Sequence, residues 1–331
     1  MGKQGFEKVI VTGGAGFIGS HMVDYIVVKS LANKIVVIDN FSSGSIKNVE
    51  HHIGKDYFEL INADLKSFES KWVDVFKDAD AVFHFAANPE VRISSTDPRI
   101  HFNENIVATF NVLEAARKFD VTTHFFASSS TVYGDADKIP TPEDHALKPI
   151  SVYGASKAAC EMLYYSYSHL YGFNVAIGRY ANIIGYRSNH GVIIDFINKL
   201  RKNPNILEIL GDGTQRKSYL HVSDAVEATA IITLYAKERK GYHVFNIGND
   251  DWITVKEIAD ITVNEMELKN VQYKYILVTP DGRGWPGDVK LMLLDITKIK
   301  SLTSWRPKLS SKDAVRKTVR EILGKEKFSW I

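Results

Sequence analysis

A glycine-rich turn that joins a short apolar strand to a helix constrains the fold of this chain more than any other feature. The segment Val9–Thr12 is apolar enough to be a buried strand, and Gly13, Gly16 and Gly19 follow it where a helical pattern begins. Glycine permits a tight turn and a close approach of the backbone, while the first turn of a helix offers free N–H groups and the positive end of its dipole. This order of strand, turn and helix predicts a binding site for the pyrophosphate of a dinucleotide.

A carboxylate at the end of the next strand supports the same prediction. Asp39 directly follows the apolar segment Lys34–Ile38, about 20 residues after the last glycine of the turn, where dinucleotide-binding folds place the acid that binds the adenosine ribose. A carboxylate there accepts hydrogen bonds from the ribose hydroxyls and repels a 2′-phosphate, and no Arg or Lys follows until Lys47. The sequence therefore favours NAD over NADP, against the alternative of a structural glycine turn with a capping aspartate.

Short apolar segments alternate with longer amphipathic segments through the first half of the chain. The short segments are rich in Val, Ile and Phe and apolar on both faces, as strands of a parallel sheet covered on both sides must be. This alternation predicts an α/β fold with a doubly wound parallel Rossmann sheet. The expected strands are Lys8–Val11, Lys34–Ile38, Ala81–Ala87, Thr122–Ser128 and Asn174–Arg179, and the expected helices are Gly16–Ser30, Ser67–Phe76, Arg99–Phe119 and Val152–Tyr171.

The pattern changes after about residue 180. Gly, Asn and Pro become frequent, and Asp281–Asp288 holds enough of them to be a loop. A chain of 331 residues is long enough for about two domains. We expect a dinucleotide-binding domain at residues 1–180, to which later segments return, and a smaller α+β substrate domain at residues 181–331. Helical patterns in this second part are Val192–Arg201, Ser223–Ala236 and Thr254–Met266.

Composition excludes several classes of protein. A formal net charge of +2 is too balanced for a protein that binds the phosphate backbone of nucleic acid. A single cysteine, Cys160, excludes an internal disulfide framework and a multi-cysteine zinc site, and the apolar runs are shorter than the roughly 20 residues of a membrane helix. Met1–Lys8 lacks the apolar core of a signal peptide, so we expect a soluble cytoplasmic protein. His51 and His52 have no ligand partner at useful spacing, so we expect no metal site.

A tyrosine and a lysine four residues apart form a candidate acid–base pair. Tyr153 and Lys157 fall on one face of the expected helix Val152–Tyr171. A free phenol has a pKa of about 10, and a nearby ammonium and a positively charged nicotinamide ring would stabilise its phenolate. Ser129 follows an expected strand at the carboxyl edge of the sheet, where it can hydrogen-bond a substrate hydroxyl or the tyrosyl oxygen. The alternatives are an ordinary surface pair and a serine that only caps a loop.

These motifs together resemble the extended short-chain dehydrogenase/reductase family, and most of all its UDP-glucose (UDP-galactose) 4-epimerases. The resemblance spans nearly the whole chain, to about Asp295. It rests on Gly13–Gly19, Asp39–Gly44, Asp64-Leu65, His84–Ala87, Asn105, Ser129, Tyr153–Lys157 and Arg179–Asn182.

The resemblance implies a role for each matching residue. It implies catalysis by Ser129, Tyr153 and Lys157, and a homodimer that pairs the two long helices. Asp64 and Leu65 would flank the adenine, Asn105 would support the adenosine–pyrophosphate region, and Tyr180 would pack against the nicotinamide. The full set of implied cofactor-binding residues is Gly13, Gly16, Phe17, Ile18, Gly19, Asp39, Asn40, Ser42, Ser43, Gly44, Asp64, Leu65, Phe85, Ala86, Ala87, Asn105, Ser128, Tyr153, Lys157 and Tyr180.

The resemblance also implies a nucleotide-sugar site. Lys217 stands where the family has a diphosphate-binding Arg, and Trp285 stands at a second such position, with Arg283 two residues earlier. The implied substrate-binding residues are Ser129, Tyr153, Asn182, Lys217, Arg283 and Asp288.

The residues after Ser129 favour one reaction among several. In the family, the tyrosine takes the proton of a sugar C4 hydroxyl while a hydride passes to NAD. Dehydratases then need an Asp-Glu pair after the serine, and decarboxylases need a Glu two positions after it; here Ser130 and Thr131 occupy these positions. Neither can act as a carboxylate, so the sequence predicts C4 epimerisation of a UDP-hexose or its N-acetyl form. UDP-uronate epimerisation, decarboxylation, 4,6-dehydration and non-catalytic dinucleotide sensing remain as alternatives.

Overall fold

The computed structural model describes residues 5–330, which form two compact units. Unit 1 contains residues 5–132, 152–179 and 226–245, and unit 2 contains residues 133–151, 180–225 and 246–330. The chain therefore leaves unit 1 after residue 132, inside the range predicted as the first domain, and later residues return to it.

The strands are short, and several of them are fully buried. Val9, Ile10 and Val11 of the first strand have no exposed surface. The strands in chain order are β1 (Phe6–Thr12), β2 (Ala32–Asp39), β3 (Phe58–Asn62), β4 (Ala81–His84), β5 (Thr123–Ser129), β6 (Asn174–Tyr180), β7 (Asn182–Ile184), β8 (Ile206–Leu210), β9 (Arg216–Lys217), β10 (Tyr219–His221), β11 (Tyr242–Ile247), β12 (Ile253–Thr254), β13 (Gln272–Ile276) and β14 (Leu291–Met292).

The helices differ widely in length. They are α1 (Phe17–Val28), α2 (Ser70–Val73), α3 (Arg99–His101), α4 (Ala108–Lys118), α5 (Val152–Tyr171), α6 (Val192–Lys202), α7 (Val222–Arg239), α8 (Val255–Glu265), α9 (Thr297–Thr303) and α10 (Ser311–Ile322). Short 3₁₀ turns occur at Ile46–Asn48, Glu50–His52, Asp74–Phe76, Val91–Ser95 and Ser130–Tyr133, and a π-helical segment at Phe102–Val107.

Seven strands form the central sheet, in the order β11-β6-β5-β4-β1-β2-β3. The predicted doubly wound α/β sheet is confirmed. Pairing between β1, β2 and β4 places Thr12 beside Ile38 and His84. The residues that follow this register in the chain, Gly13, Asp39 and Phe85, therefore lie at one carboxyl edge of the sheet.

The core of unit 1 packs helices against the central strands of this sheet. Val36, Val82 and Phe126 from the strands join Val112 and Tyr164 from the helices in one buried cluster. The expected helix Arg99–Phe119 is present as α3, the π-helical segment and α4 in direct succession. A π-helical turn inside a helix is rare and often marks a functional position, and this one carries Asn105.

Unit 2 contains three small sheets and its own core. Strand β8 pairs in parallel with β13, β7 pairs with β10, and β9 lies between β12 and β14. Helices α6, α8 and α10 pack around Leu207, Ile209 and Tyr219. Asp281–Asp288 is a loop, as expected. Among the described residues, every helix is too short or too polar to cross a bilayer.

Candidate active site

The glycine turn after β1 has the close packing that its sequence predicts. Gly13 has a φ of 68°, and a Cβ on it would lie 2.7 Å from the backbone nitrogen of Ala86. A Cβ on Gly19 would lie 2.2 Å from the carbonyl oxygen of Gly13, so both positions require glycine. Gly16 is the N-cap of α1. The turn thus presents bare backbone and a helix N-terminus at the sheet edge, which fits a pyrophosphate group.

Asp39 is held in one orientation beside this turn. Its Oδ2 accepts a hydrogen bond from the Ala15 backbone N–H (2.9 Å), and its Oδ1 accepts one from the Phe41 N–H (2.8 Å). Burial raises the pKa of Asp39, and the two backbone hydrogen bonds oppose that effect. Each carboxylate oxygen keeps a further lone pair for a ribose hydroxyl.

The loop after Asp39 closes over the turn. A Cβ on Gly44 would lie 2.9 Å from the carbonyl carbon of Ala15, and the Ser45 N–H donates to the Ala15 oxygen (3.0 Å). Asn40 and Ser42 are exposed, and the Ser42 N–H donates to Asn40 Oδ1 (3.0 Å). Ser43 is exposed as well.

The other predicted cofactor residues of unit 1 fall into two groups. Phe17 and Ile18 begin α1, and Phe85, Ala86 and Ala87 directly follow β4; all five are half-buried at the edge where the glycine turn lies. Asp64 is exposed and pairs with Lys66 (3.3 Å), while Leu65 belongs to the hydrophobic core.

Two predicted cofactor residues have side chains that bind other parts of the protein. The Asn105 amide accepts from the Asn88 N–H (2.8 Å) and donates to Ser156 Oγ (2.8 Å), so it connects the loop after β4 to α5. Ser128 donates to the buried carboxylate of Glu161, which also binds Arg179 (2.7 Å). The Ser128 hydroxyl is therefore part of a buried network in unit 1.

The three predicted catalytic side chains come together at the carboxyl end of β5. Ser129 ends this strand and forms a hydrogen bond with Tyr153 from the first turn of α5. Lys157 lies one turn further along α5, where its Nζ donates to the Ala127 carbonyl (2.8 Å) and lies 5.9 Å from the centre of the Tyr153 ring.

Burial dominates the protonation of this group. Desolvation raises the pKa of Tyr153 to about 12, against the opposing effect of its hydrogen bond with Ser129. Desolvation also lowers the pKa of Lys157 to about 8. Without NAD, the loss of water around the phenol outweighs its polar contacts. Stabilisation of the phenolate by the ammonium together with a charged nicotinamide ring stays a prediction for the NAD-bound protein.

Thr131 contacts the predicted catalytic serine, Ser129, a contact that the sequence did not reveal. Its Oγ1 donates to Ser129 Oγ (2.9 Å), and its backbone N–H donates to the same oxygen (3.2 Å). With its oxygen accepting two hydrogen bonds, Ser129 can direct its only proton to Tyr153. The sequence shows that Thr131 follows Ser129 by two positions. This spacing is common in proteins, so it does not by itself predict the contact.

Unit 2 holds the predicted substrate-binding cations, each in an ion pair. Lys217 donates to Asp288 Oδ1 (2.5 Å), and its Nζ lies 5.2 Å from the centre of a Trp285 ring. Arg283 donates to Asp281 (2.5 Å), Asp135 (2.9 Å) and the Asp288 carbonyl (2.6 Å).

The two other predicted residues of unit 2 lie close together in the chain. Tyr180 is buried at the end of β6, and Asn182 is half-buried at the start of β7. The Asn182 side chain donates to the Ser218 carbonyl (3.2 Å).

Comparison with known proteins identifies the family. The sequence profile of the GDP-mannose 4,6-dehydratase family matches residues 10–318. This chain belongs to that family of extended short-chain dehydrogenases/reductases. A solved structure of a UDP-galactose 4-epimerase is 49% identical, with a TM-score of 0.85, and the match covers 96% of this chain and 99% of that one.

Relatives within the family catalyse different reactions. UDP-glucuronic acid decarboxylase 6 of Arabidopsis thaliana is 31% identical over 93% of this chain and 86% of its own length. A dTDP-glucose 4,6-dehydratase from Streptomyces venezuelae, solved with NAD bound, is 26% identical with a TM-score of 0.87 and covers 96% of this chain and 97% of its own. The prediction of NAD as the cofactor of the family is confirmed.

Proposed function

We propose that this protein is an NAD-dependent epimerase that inverts C4 of a nucleotide-diphosphate hexose, either UDP-glucose/UDP-galactose or their N-acetyl forms. The observation that carries the proposal is the group of Ser129, Tyr153 and Lys157 at one sheet edge, followed by Ser130 and Thr131 instead of carboxylates. Without a further acid or base, the simplest fate of a 4-keto sugar is reduction from its other face. The similarity to a UDP-galactose 4-epimerase supports the same reaction.

The residues of unit 1 fit an NAD molecule. Gly13 and Gly16 would face its pyrophosphate, Asp39 would bind the adenosine ribose, and Lys157 would bind the nicotinamide ribose. NAD supplies, when bound, an acceptor for the C4 hydride and its donor in the return step.

Tyr153 carries the proton in the proposed mechanism. As phenolate it takes the proton of the C4 hydroxyl while C4 loses its hydrogen as hydride, which leaves a 4-keto sugar. The keto sugar then rotates in the site so that hydride returns to its opposite face. Tyr153 gives the proton back to the oxygen at C4, which becomes the new hydroxyl. Ser129 donates a hydrogen bond to the reacting oxygens, and the Lys157 ammonium favours the phenolate.

We propose that unit 2 binds the nucleotide half of the substrate. Lys217 and Arg283 are cations of the right type for a diphosphate, and both contact acidic side chains in the structure. A bound diphosphate would replace Asp288 and Asp281 as their partners, which would free Asp288 for a ribose hydroxyl. Asn182 would contact the diphosphate, and Tyr180 would pack beside the nicotinamide.

We also propose a homodimer in the cytoplasm. Large apolar side chains are exposed on the two long helical segments of unit 1, and pairing of these helices across a two-fold axis would cover them. These side chains are Phe102, Phe110, Met162 and Tyr165. Cys160 is a buried free thiol, which suits a reducing compartment.

Product analysis tests the proposed reaction against its alternatives. We would incubate the protein with UDP-hexoses, UDP-N-acetylhexosamines and UDP-uronates and identify the products by mass spectrometry and chromatography. An epimer of unchanged mass is expected from a hexose substrate. Loss of carbon dioxide would identify a decarboxylase, loss of water a dehydratase, and turnover of the uronate alone a UDP-uronate epimerase.

A further inference from the structure

A second cluster of titratable side chains lies in unit 1, between α1 and the segment that joins β2 to β3. Asp24 projects from α1, and His51 and His52 follow the loop that closes over the glycine turn. The spacing of the sequence shows no ligand partner for the two histidines, because Asp24 lies 27 residues before the nearer of them. The fold brings the three side chains together.

The donor atoms converge on one point. Nε2 of His51 and Nε2 of His52 each lie 2.8 Å from Oδ1 of Asp24, and the three atoms lie within 4.8 Å of one another. Two imidazole nitrogens and one carboxylate oxygen are the ligands of many three-residue zinc sites that keep a position open for water. A small outward movement would widen the 2.8 Å hydrogen bonds to the ligand separations of a tetrahedral ion with bonds of about 2.0–2.2 Å.

The surroundings of His52 match those of a metal ligand. Its side chain is 5% exposed, and its other ring nitrogen, Nδ1, lies 3.0 Å from the Tyr57 hydroxyl. A partner at the second nitrogen fixes the ring and directs Nε2 towards an ion. His51, in contrast, is 48% exposed. The cluster therefore has a rigid buried side and a solvent side through which an ion can enter.

We propose that Asp24, His51 and His52 bind one divalent first-row transition ion of the zinc class, with water completing its coordination. Mixed nitrogen and oxygen ligands select such ions over magnesium or calcium, which prefer oxygen alone. The ion would connect α1 to the segment between β2 and β3. This site is independent of the proposed epimerase reaction.

Calorimetric titration of ZnCl₂ into untagged, chelator-treated protein tests the proposal. The unaltered chain should bind one ion, and Zn²⁺ should raise its melting temperature. His51→Ala removes an exposed ligand without disturbing the core and should weaken binding by at least about 10-fold, the lower bound for loss of even an outer-shell partner. Asp24→Asn should weaken it as well.

His169→Ala is the matched control, because His169 is an exposed histidine on α5 outside the cluster. It should bind Zn²⁺ as the unaltered chain does. Absence of one-to-one binding, or equal binding by the His51→Ala variant and the unaltered chain, would overturn the proposal and leave the cluster as a hydrogen-bonded contact.

Discussion

At the scale of single residues, the protonation states of Tyr153 and Lys157 determine what this site can do. Tyr153 has a pKa of about 12 and Lys157 a pKa of about 8, both because they are buried. The protein alone therefore holds a neutral phenol, and each added stabilisation of the phenolate increases the fraction that can act as a base at neutral pH. The hydrogen bond from Ser129 is one such contribution, and Thr131 orients it.

Replacing Thr131 tests this orientation. Thr131→Val keeps the shape of the side chain but removes the donor to Ser129. We expect kcat to fall about 10-fold with KM unchanged, the equivalent of one neutral hydrogen bond of about 1–1.5 kcal/mol. The limb of the pH–rate profile that reports Tyr153 should also move to higher pH, because the phenolate loses support.

Ser130→Ala provides the control, since Ser130 neighbours Thr131 in the same 3₁₀ turn. Its kinetics should match those of the unaltered enzyme. Equal pH profiles for the two variants would show that Thr131 does not orient the serine.

The lowered pKa of Lys157 predicts a pH dependence of stability. Folded Lys157 loses its proton near pH 8, whereas a lysine in the unfolded chain keeps it to about pH 10.4. Between these values the unfolded chain binds more protons, so the free energy of unfolding contributed by this group rises with pH.

Urea unfolding of the unaltered chain and of Lys157→Met between pH 7.5 and 10 measures this contribution. The unfolding free energy of the unaltered chain should rise relative to that of Lys157→Met as the pH rises, by at most about 1.4 kcal/mol per pH unit. A constant difference would show that the lysine titrates alike in both states.

At the scale of helices and strands, buried polar contacts connect α5 to its neighbours. Glu161 of α5 accepts three hydrogen bonds from Arg179 of β6, and neither side chain is more than 5% exposed. Glu161 also accepts from Ser128 of β5. This network fixes the helix that carries Tyr153 and Lys157 against the two strands beside it.

Removing one charge of this pair should destabilise unit 1. Arg179→Met leaves the Glu161 carboxylate buried without its partner, and we expect a loss of about 3–5 kcal/mol in the free energy of unfolding. The double variant Glu161→Gln/Arg179→Met removes both charges and should lose less. Chemical denaturation measures the loss of unfolding free energy in both variants. Equal losses would show that the unpaired Glu161 carboxylate is not what destabilises Arg179→Met.

Helices and strands with a strong apolar pattern could be predicted from the sequence. Helices and strands that lack such a pattern could not. Helix α5 matches its prediction at both ends, and β1, β2, β4 and β5 differ from theirs by one to three residues at an end. Strand β3 was missed because it is an edge strand with half-exposed side chains, and α10 because most of its residues are polar. The contact of Asp24 with His51 depends on tertiary packing that no local pattern records.

At the scale of the whole molecule, neither unit is one continuous stretch of the chain. Residues 133–151 leave unit 1 between β5 and α5, and residues 226–245 return to it. Local periodicity shows where a strand or helix begins, but the unit that it joins depends on contacts distant in the chain. The motifs of the cofactor and catalytic residues could be read from the sequence because they are local, whereas the ion pairs of Lys217 and Arg283 could not.

The most direct test of the proposed mechanism follows a C4 deuterium label through the reaction of the UDP-hexose that the protein accepts. We expect the epimer to keep the deuterium at C4, since the same hydride leaves and returns, and Tyr153→Phe to slow its formation by about 100-fold or more. Loss of the label to solvent, a product of lower mass, or undiminished turnover by Tyr153→Phe would contradict the mechanism.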